Sequence, residues 1–99
     1  MIKSFKEGEL GSLAQYYLCG KRSKDIPVTI ESALKRKLDI IDSATTERSL
    51  FSPPGNNYER LSGLLEGWSS IRVNIQWRLI FQWLDGAAHN IYLYPHKYQ

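Results

Sequence analysis

At 99 residues, 42% hydrophobic and 23% charged with a net charge of +3, the chain is sized for one folded domain, 1–99, and its balance excludes a disordered, collagen-like or low-complexity polymer. No apolar run is long enough to cross a bilayer, and the leading Met1-Ile2-Lys3-Ser4-Phe5-Lys6-Glu7 has neither the apolar core nor the small-residue cleavage site of a secretion signal. A lone cysteine, Cys19, excludes an internal disulfide, so a reduced, cytoplasmic setting is expected, and a core of modest depth leaves an active site room only at the surface.

Residues 2–5 can form a short first strand. Residues 7–18 follow with a weak helical pattern, Leu10, Leu13, Ala14, Tyr17 and Leu18 at three- and four-residue steps, closed by Gly20. A basic loop, Lys21-Arg22-Ser23-Lys24, leads to a second helix over 25–44, with Asp25 as its cap and Pro27 in its first turn. Its stripe of Ile30, Leu34, Leu38 and Ile41 defines one buried face, and Lys35 and Arg36 fall outside it. Thr45-Thr46 starts a break, and Ser52-Pro53-Pro54-Gly55-Asn56-Asn57 is a loop. Strands are then predicted at 58–61, 69–73, 77–84 and 88–94, with Asp85-Gly86 as a tight hairpin. Helices followed by hairpins predict an α+β fold, an antiparallel sheet covered on one face by helices.

Strand register follows from which faces must be apolar. A three-residue turn at Asn74-Ile75-Gln76 pairs Val73 with Trp77 and Ile71 with Leu79, and so sets Arg72 beside Arg78 on the opposite face. Pairing Phe81 with Ile91 and Leu79 with Leu93 keeps the core face apolar and puts Tyr92 and Tyr94 on the arginine face. That pairing requires a three-residue loop where Asp85-Gly86 favours two, and the core is expected to prevail. Two arginines directly opposite repel unless an anion or a carboxylate lies between them. Their planar forks suit a phosphate, and neighbouring tyrosines can stack on bases or carry protons. Both arginines can equally pair with Asp or Glu and merely solubilise the face.

Other candidates are sparser. His96 can act as general acid or base near neutral pH, and Glu59, opening a strand near the arginine pair, can be a base or a salt-bridge partner. His89 reads as surface and Cys19 as a small core residue. Two histidines and one cysteine at scattered positions make no metal-ligand set, no phosphate loop with Walker spacing is present, and no nucleophile motif supports a Ser-His-Asp triad.

A series of motifs is more specific: Ser52-Pro53-Pro54-Gly55-Asn56, Glu59-Arg60-Leu61-Ser62-Gly63, Trp68-Ser69-Ser70-Ile71-Arg72-Val73-Asn74 and Gln76-Trp77-Arg78-Leu79-Ile80-Phe81. In order and spacing, over most of the chain, it resembles the HigB-type toxins of the RelE/ParE superfamily. The resemblance implies two N-terminal helices packed on a twisted antiparallel sheet in the order β-α-α-β-β-β-β. It implies the toxin of a type II toxin–antitoxin pair, a ribosome-dependent mRNA endonuclease that needs neither metal nor cofactor. In that chemistry the ribose 2′-OH attacks the adjacent phosphate, with a base, cations for the phosphorane and an acid for the leaving oxygen. By position, Arg78 would hold the scissile phosphate, Arg72 would supply a second charge and Glu59 would be the base.

His96 lies near the family's terminal Asp-Tyr-His, but this chain reads Tyr94-Pro95-His96-Lys97 there: the aspartate is absent and a proline occupies one motif position. His96 can still be the acid, with Tyr94 or Tyr98 supplying a phenol. Lys21, Arg22, Lys24, Lys35, Arg36 and Lys97 are the candidates for contacts to ribosomal RNA. The partner implied is a HigA-like helix-turn-helix antitoxin, in a heterotetramer of two toxins with an antitoxin dimer that binds operator DNA through the antitoxin alone. Rival readings are a non-catalytic ParE-type inhibitor of DNA gyrase and a degenerate toxin kept for antitoxin binding.

Overall fold

Regular apolar spacing produces the longest helix. The structure, a computed structural model, describes residues 1–95. In it α2 spans Glu31–Ser43, and Ile30, Leu34, Leu38 and Ile41 are all buried, as their stripe predicts. The helix starts later than expected. Asp25 does not cap it; its carboxylate accepts a hydrogen bond from the Ser12 hydroxyl at 2.6 Å. Pro27 is extended (ψ 135°) and Val28–Ile30 form a 3-10 turn ahead of α2.

The first helix, α1, spans only Ser12–Cys19. Gly8 takes a left-handed conformation (φ +79°), which only glycine adopts without strain, and residues 5–11 fold into successive turns instead of a helix. Leu10 therefore stands exposed, while Gly20 caps α1 in the left-handed conformation as expected. Cys19 ends α1 exposed to solvent; it is not a core residue.

The predicted first strand is reduced to two parallel bridges against the last strand, Ile2 with Ala88 and Phe5 with Ile91. Backbone hydrogen bonds from Lys3 to Ala88 (2.8 Å) and from Lys6 to Ile91 (3.0 Å) hold it there. The sheet proper has four antiparallel strands in the order β1 (Glu59–Arg60), β2 (Ser69–Arg72), β3 (Trp77–Leu84) and β4 (Ala87–Pro95).

The β2–β3 hairpin has the register argued from the apolar face: Ile71 opposite Leu79 and Arg72 opposite Arg78. Asn74 stabilises its turn, its side-chain oxygen accepting from the backbone N–H of Gln76 and Trp77 at 2.8 and 2.9 Å. The β3–β4 hairpin departs from expectation in its loop. Leu84 pairs with Ala87 across Asp85-Gly86, both at positive φ (51° and 75°), the two-residue turn that such a dipeptide favours. Beyond it the ladder shifts between Ile80 and Gln82, leaving Phe81 without a one-to-one partner. Asn90, at φ +54°, supplies the extra residue and donates its side-chain amide to Gln82 at 2.8 Å. Past the bulge Leu79 pairs with Leu93 as the core requires. Turn chemistry and core register are thus both satisfied, at the cost of one bulge.

The core lies between α2 and one sheet face. It joins Ile26, Ile30, Leu34, Leu38 and Ile41 to Leu50, Ile71, Leu79, Phe81 and Ile91, with Trp77 and Trp83 packed half-buried at its margin. Each fully buried aliphatic side chain contributes about 1.5–3 kcal/mol. Two polar clamps attach the intervening loop. Glu47 accepts the Arg60 guanidinium on both carboxylate oxygens and the Tyr58 hydroxyl at 2.6 Å, and that hydroxyl also lies 2.9 Å from Ser69. Those donors hold the Glu47 carboxyl below its ordinary pKa, Arg60 foremost and Tyr58 next. The second clamp is the buried Lys37, whose amine donates to Asn56 at 2.7 Å; Asn56 in turn donates to the carbonyls of Leu50 and Ser52. Burial, with Arg36 adding to it, pushes the Lys37 pKa down. Among the described residues no helix is long and apolar enough to cross a membrane.

Candidate functional site

Alternation along the strands sends one residue set into the core and its neighbours to the opposite face, which neither α1 nor α2 covers. Register arranges that second set in rows. One row runs Glu59, Ser70, Ile80, Tyr92 across the sheet, and the next runs Arg72, Arg78, Tyr94. The central positions are nevertheless sealed: Ser70 is 1% and Ile80 3% exposed. Trp68 meets Tyr92 edge to face with ring centroids 5.8 Å apart, and the Lys6 amine sits 4.3 Å above the Tyr92 ring. A cation over an aromatic face contributes about 0.5–1 kcal/mol at such a site. Burial raises the Tyr92 pKa, with Tyr94 adding to the shift, so this phenol stays protonated at neutral pH and can donate a hydrogen bond.

Arg72 and Arg78 are half-buried and directly opposite. Among the described residues neither is in an ion pair; the pairs are Arg22 with Glu31, Lys35 with Asp39 and Arg60 with Glu47. Two buried side-chain polar atoms lack a hydrogen-bond partner among the described residues, Arg78 Nη1 and Ser70 Oγ, and both belong to this face. Leaving a buried donor unmade costs about 1–3 kcal/mol, and like charges directly opposite add to it. An anion between the two guanidinium groups would relieve both costs. Two guanidinium forks suit a phosphate, and the aromatic pair beside them suits a base.

The predicted catalytic residues divide accordingly. Arg72, Arg78 and Tyr94 share a row, and Tyr94 is exposed. Glu59 is exposed in the adjoining row, paired with Ser70 and unpaired to either arginine. His96 and Lys97 lie outside the described residues. The remaining cations sit in the helical layer, away from this face. Lys21, Arg22 and Lys24 are exposed in the loop after α1, and Lys35 and Arg36 are exposed on α2. Arg22 and Lys35 are partly neutralised by Glu31 (3.5 Å) and Asp39 (3.3 Å). Lys35, Arg36 and Asp39 line a shallow groove of about 770 Å³ with Tyr16 and Ser49. Sequence reasoning missed Lys6 and Trp68 as members of the open face. Alternation set Ser70 beside Arg72 on that face but gave it no role, whereas Lys6 arrives only because the N-terminal segment runs alongside β4.

Comparison with known proteins adds an independent line. A family profile described as the RelE-like toxin of type II toxin–antitoxin system HigB matches residues 3–96. Toxin HigB-1 of Vibrio cholerae serotype O1 is 59% identical over 86 residues, spanning 87% of this chain and 90% of the relative. An uncharacterized protein of Haemophilus influenzae is 38% identical over 86 residues, spanning 87% of this chain and 85% of the relative.

Proposed function

The chain belongs to the HigB-like family of RelE-like toxins in type II toxin–antitoxin systems, and from that premise we propose that it is a ribosome-dependent mRNA endonuclease. The observation that carries the reading is the pair Arg72 and Arg78, abreast on the open sheet face with no acidic partner among the described residues.

The ribose 2′-OH attacks the adjacent phosphorus, forming a 2′,3′-cyclic phosphate and releasing the 5′-oxygen of the next nucleotide. Glu59, exposed on the same face, takes the 2′-OH proton. Arg78 and Arg72 stabilise the charge that accumulates on the phosphorane, and removing one such donor typically lowers a rate by about 10²–10³. His96 returns a proton to the leaving oxygen, with the Tyr94 phenol beside the arginine row. No step calls for a metal or cofactor. The whole chain, 1–99, acts as one toxin domain in the cytoplasm. Lys21, Arg22, Lys24, Lys35, Arg36 and Lys97 contact ribosomal RNA, and each phosphate contact steepens the salt dependence of ribosome binding.

Membership of a type II system implies an antitoxin. We propose a HigA-like helix-turn-helix dimer that binds two toxins and carries the complex to operator DNA. Light scattering should then give a mass of two copies of each chain; any other mass rejects that stoichiometry. The activity is tested by cleavage of a defined mRNA on programmed ribosomes, with 5′ ends mapped for wild type and Arg78→Ala. Codon-phased cuts that disappear in the variant support the nuclease. No cuts by folded wild type would favour a binding inhibitor or a disabled toxin.

A further inference from the structure

We propose that Ser70 is a phosphate contact of this site, its hydroxyl and Arg78 Nη1 together receiving one non-bridging oxygen of the RNA backbone. The inference rests on reading the open face as a nucleotide site, and goes beyond it by assigning a residue.

The contrast between two adjacent serines carries the argument. Ser69 and Ser70 are both buried. Ser69 faces the helices, and its hydroxyl lies 2.9 Å from that of Tyr58, inside the Glu47 clamp. Ser70 faces the other way, and its hydroxyl has no hydrogen-bond partner among the described residues. Buried hydroxyls are nearly always partnered, so an orphan on a face of charged and aromatic side chains points to a ligand. Its position narrows the ligand's chemistry. Ser70 pairs with Ile80, and Arg78 is the next residue of β3 on that face, a diagonal neighbour within reach of a long side chain. Arg78 Nη1 is the other buried orphan. A guanidinium can only donate, whereas a hydroxyl can donate or accept. An atom shared by both must accept from Arg78, and an anionic phosphate oxygen can accept from the Ser70 hydroxyl as well. Trp68 stands two residues before Ser70 and Tyr92 pairs with Ile80, so both share its face and can hold the attached nucleoside; because the Ser70 and Arg78 atoms are buried, the side chains around them must part to admit the phosphate oxygen.

A hydroxyl kept only for packing behaves differently from one kept for a ligand. Removing an unsatisfied buried hydroxyl leaves stability unchanged or raises it. The test titrates the folded full-length chain with adenosine 3′-monophosphate and with adenosine, following binding by calorimetry and the arginine side-chain resonances by NMR. Wild type should bind the nucleotide more tightly than the nucleoside. Ser70→Ala should lose about tenfold in affinity for the nucleotide, as expected of a hydrogen bond to a charged group. Its affinity for adenosine and its melting temperature should not fall, and Ser70→Thr should recover part of the loss. Equal nucleotide binding by Ser70→Ala and wild type overturns the proposal, as does wild type showing no preference for the phosphate. Ser70-dependent phosphate binding without RNA cleavage upholds the contact and rejects the nuclease. Cleavage lost in Arg78→Ala but unchanged, with unchanged nucleotide affinity, in Ser70→Ala does the reverse.

Discussion

The two faces of one sheet obey opposite rules. On the helix-covered face the buried side-chain polar atoms of the described residues have partners: Ser69 meets Tyr58, Tyr58 meets Glu47 and Glu47 grips Arg60. On the open face the next residues along the same strands, Ser70 and Arg78, keep buried atoms without a partner among the described residues, and Arg72 stands against Arg78. Satisfied groups hold a fold together; unsatisfied ones call for a separate explanation, and a bound phosphate is the one proposed. The alternation of β-strands lets a chain this short keep both regimes one residue apart.

Substitutions on each face should therefore separate stability from chemistry. The largest effect is expected in the core. Leu38→Ala leaves a cavity under the sheet and should cost about 2–5 kcal/mol in urea unfolding, while the molecules that remain folded cut RNA at the wild-type rate. A comparable loss from an open-face residue would erase the distinction. Arg78→Ala should do the converse, lowering cleavage by about 10²–10³ while the unfolding midpoint holds or rises as the arginine repulsion is relieved.

The Glu47 clamp sharpens the contrast through pH. Its carboxyl titrates below the ordinary value of 4.5 in the folded state, chiefly because Arg60 and Tyr58 donate to it. Its contribution is thus complete above that value and is lost as pH falls toward the lowered one. Wild type should lose stability over that acid range more steeply than Glu47→Gln, measured by chemical unfolding at stepped pH; parallel curves would remove the clamp from the account. The smallest expected effect is that of Lys6→Ala, about 0.5–1 kcal/mol from the lost contact over Tyr92, seen as a shift in the Tyr92 ring resonances with little change in the rest of the fold.

The elements that local pattern controls were legible in the sequence. Apolar alternation alone set the β2–β3 register and brought Arg72 to Arg78, and the helical stripe identified the α2 core. The same periodicity places position 37 between Leu34 and Ile41 on the buried face, so the burial of Lys37 could have been read from spacing; its partner Asn56, across a loop, could not. The bulge at Asn90 was hidden because the turn and the core each demanded a different loop length, and one residue at positive φ reconciles them only in three dimensions. The late start of α1 depends on the left-handed Gly8, which sequence spacing does not reveal. Of the site, the arginine row and the tyrosines were legible. The meeting of Trp68 with Tyr92 was not, since it depends on long side chains reaching across two strands.

The most direct test of this division joins two measurements on one preparation of Arg78→Ala: mapped mRNA cleavage on programmed ribosomes and the urea unfolding midpoint. The account predicts codon-phased cuts by wild type, their loss in the variant and a midpoint no lower than wild type. Retained cutting, or cutting and stability lost together, would contradict it.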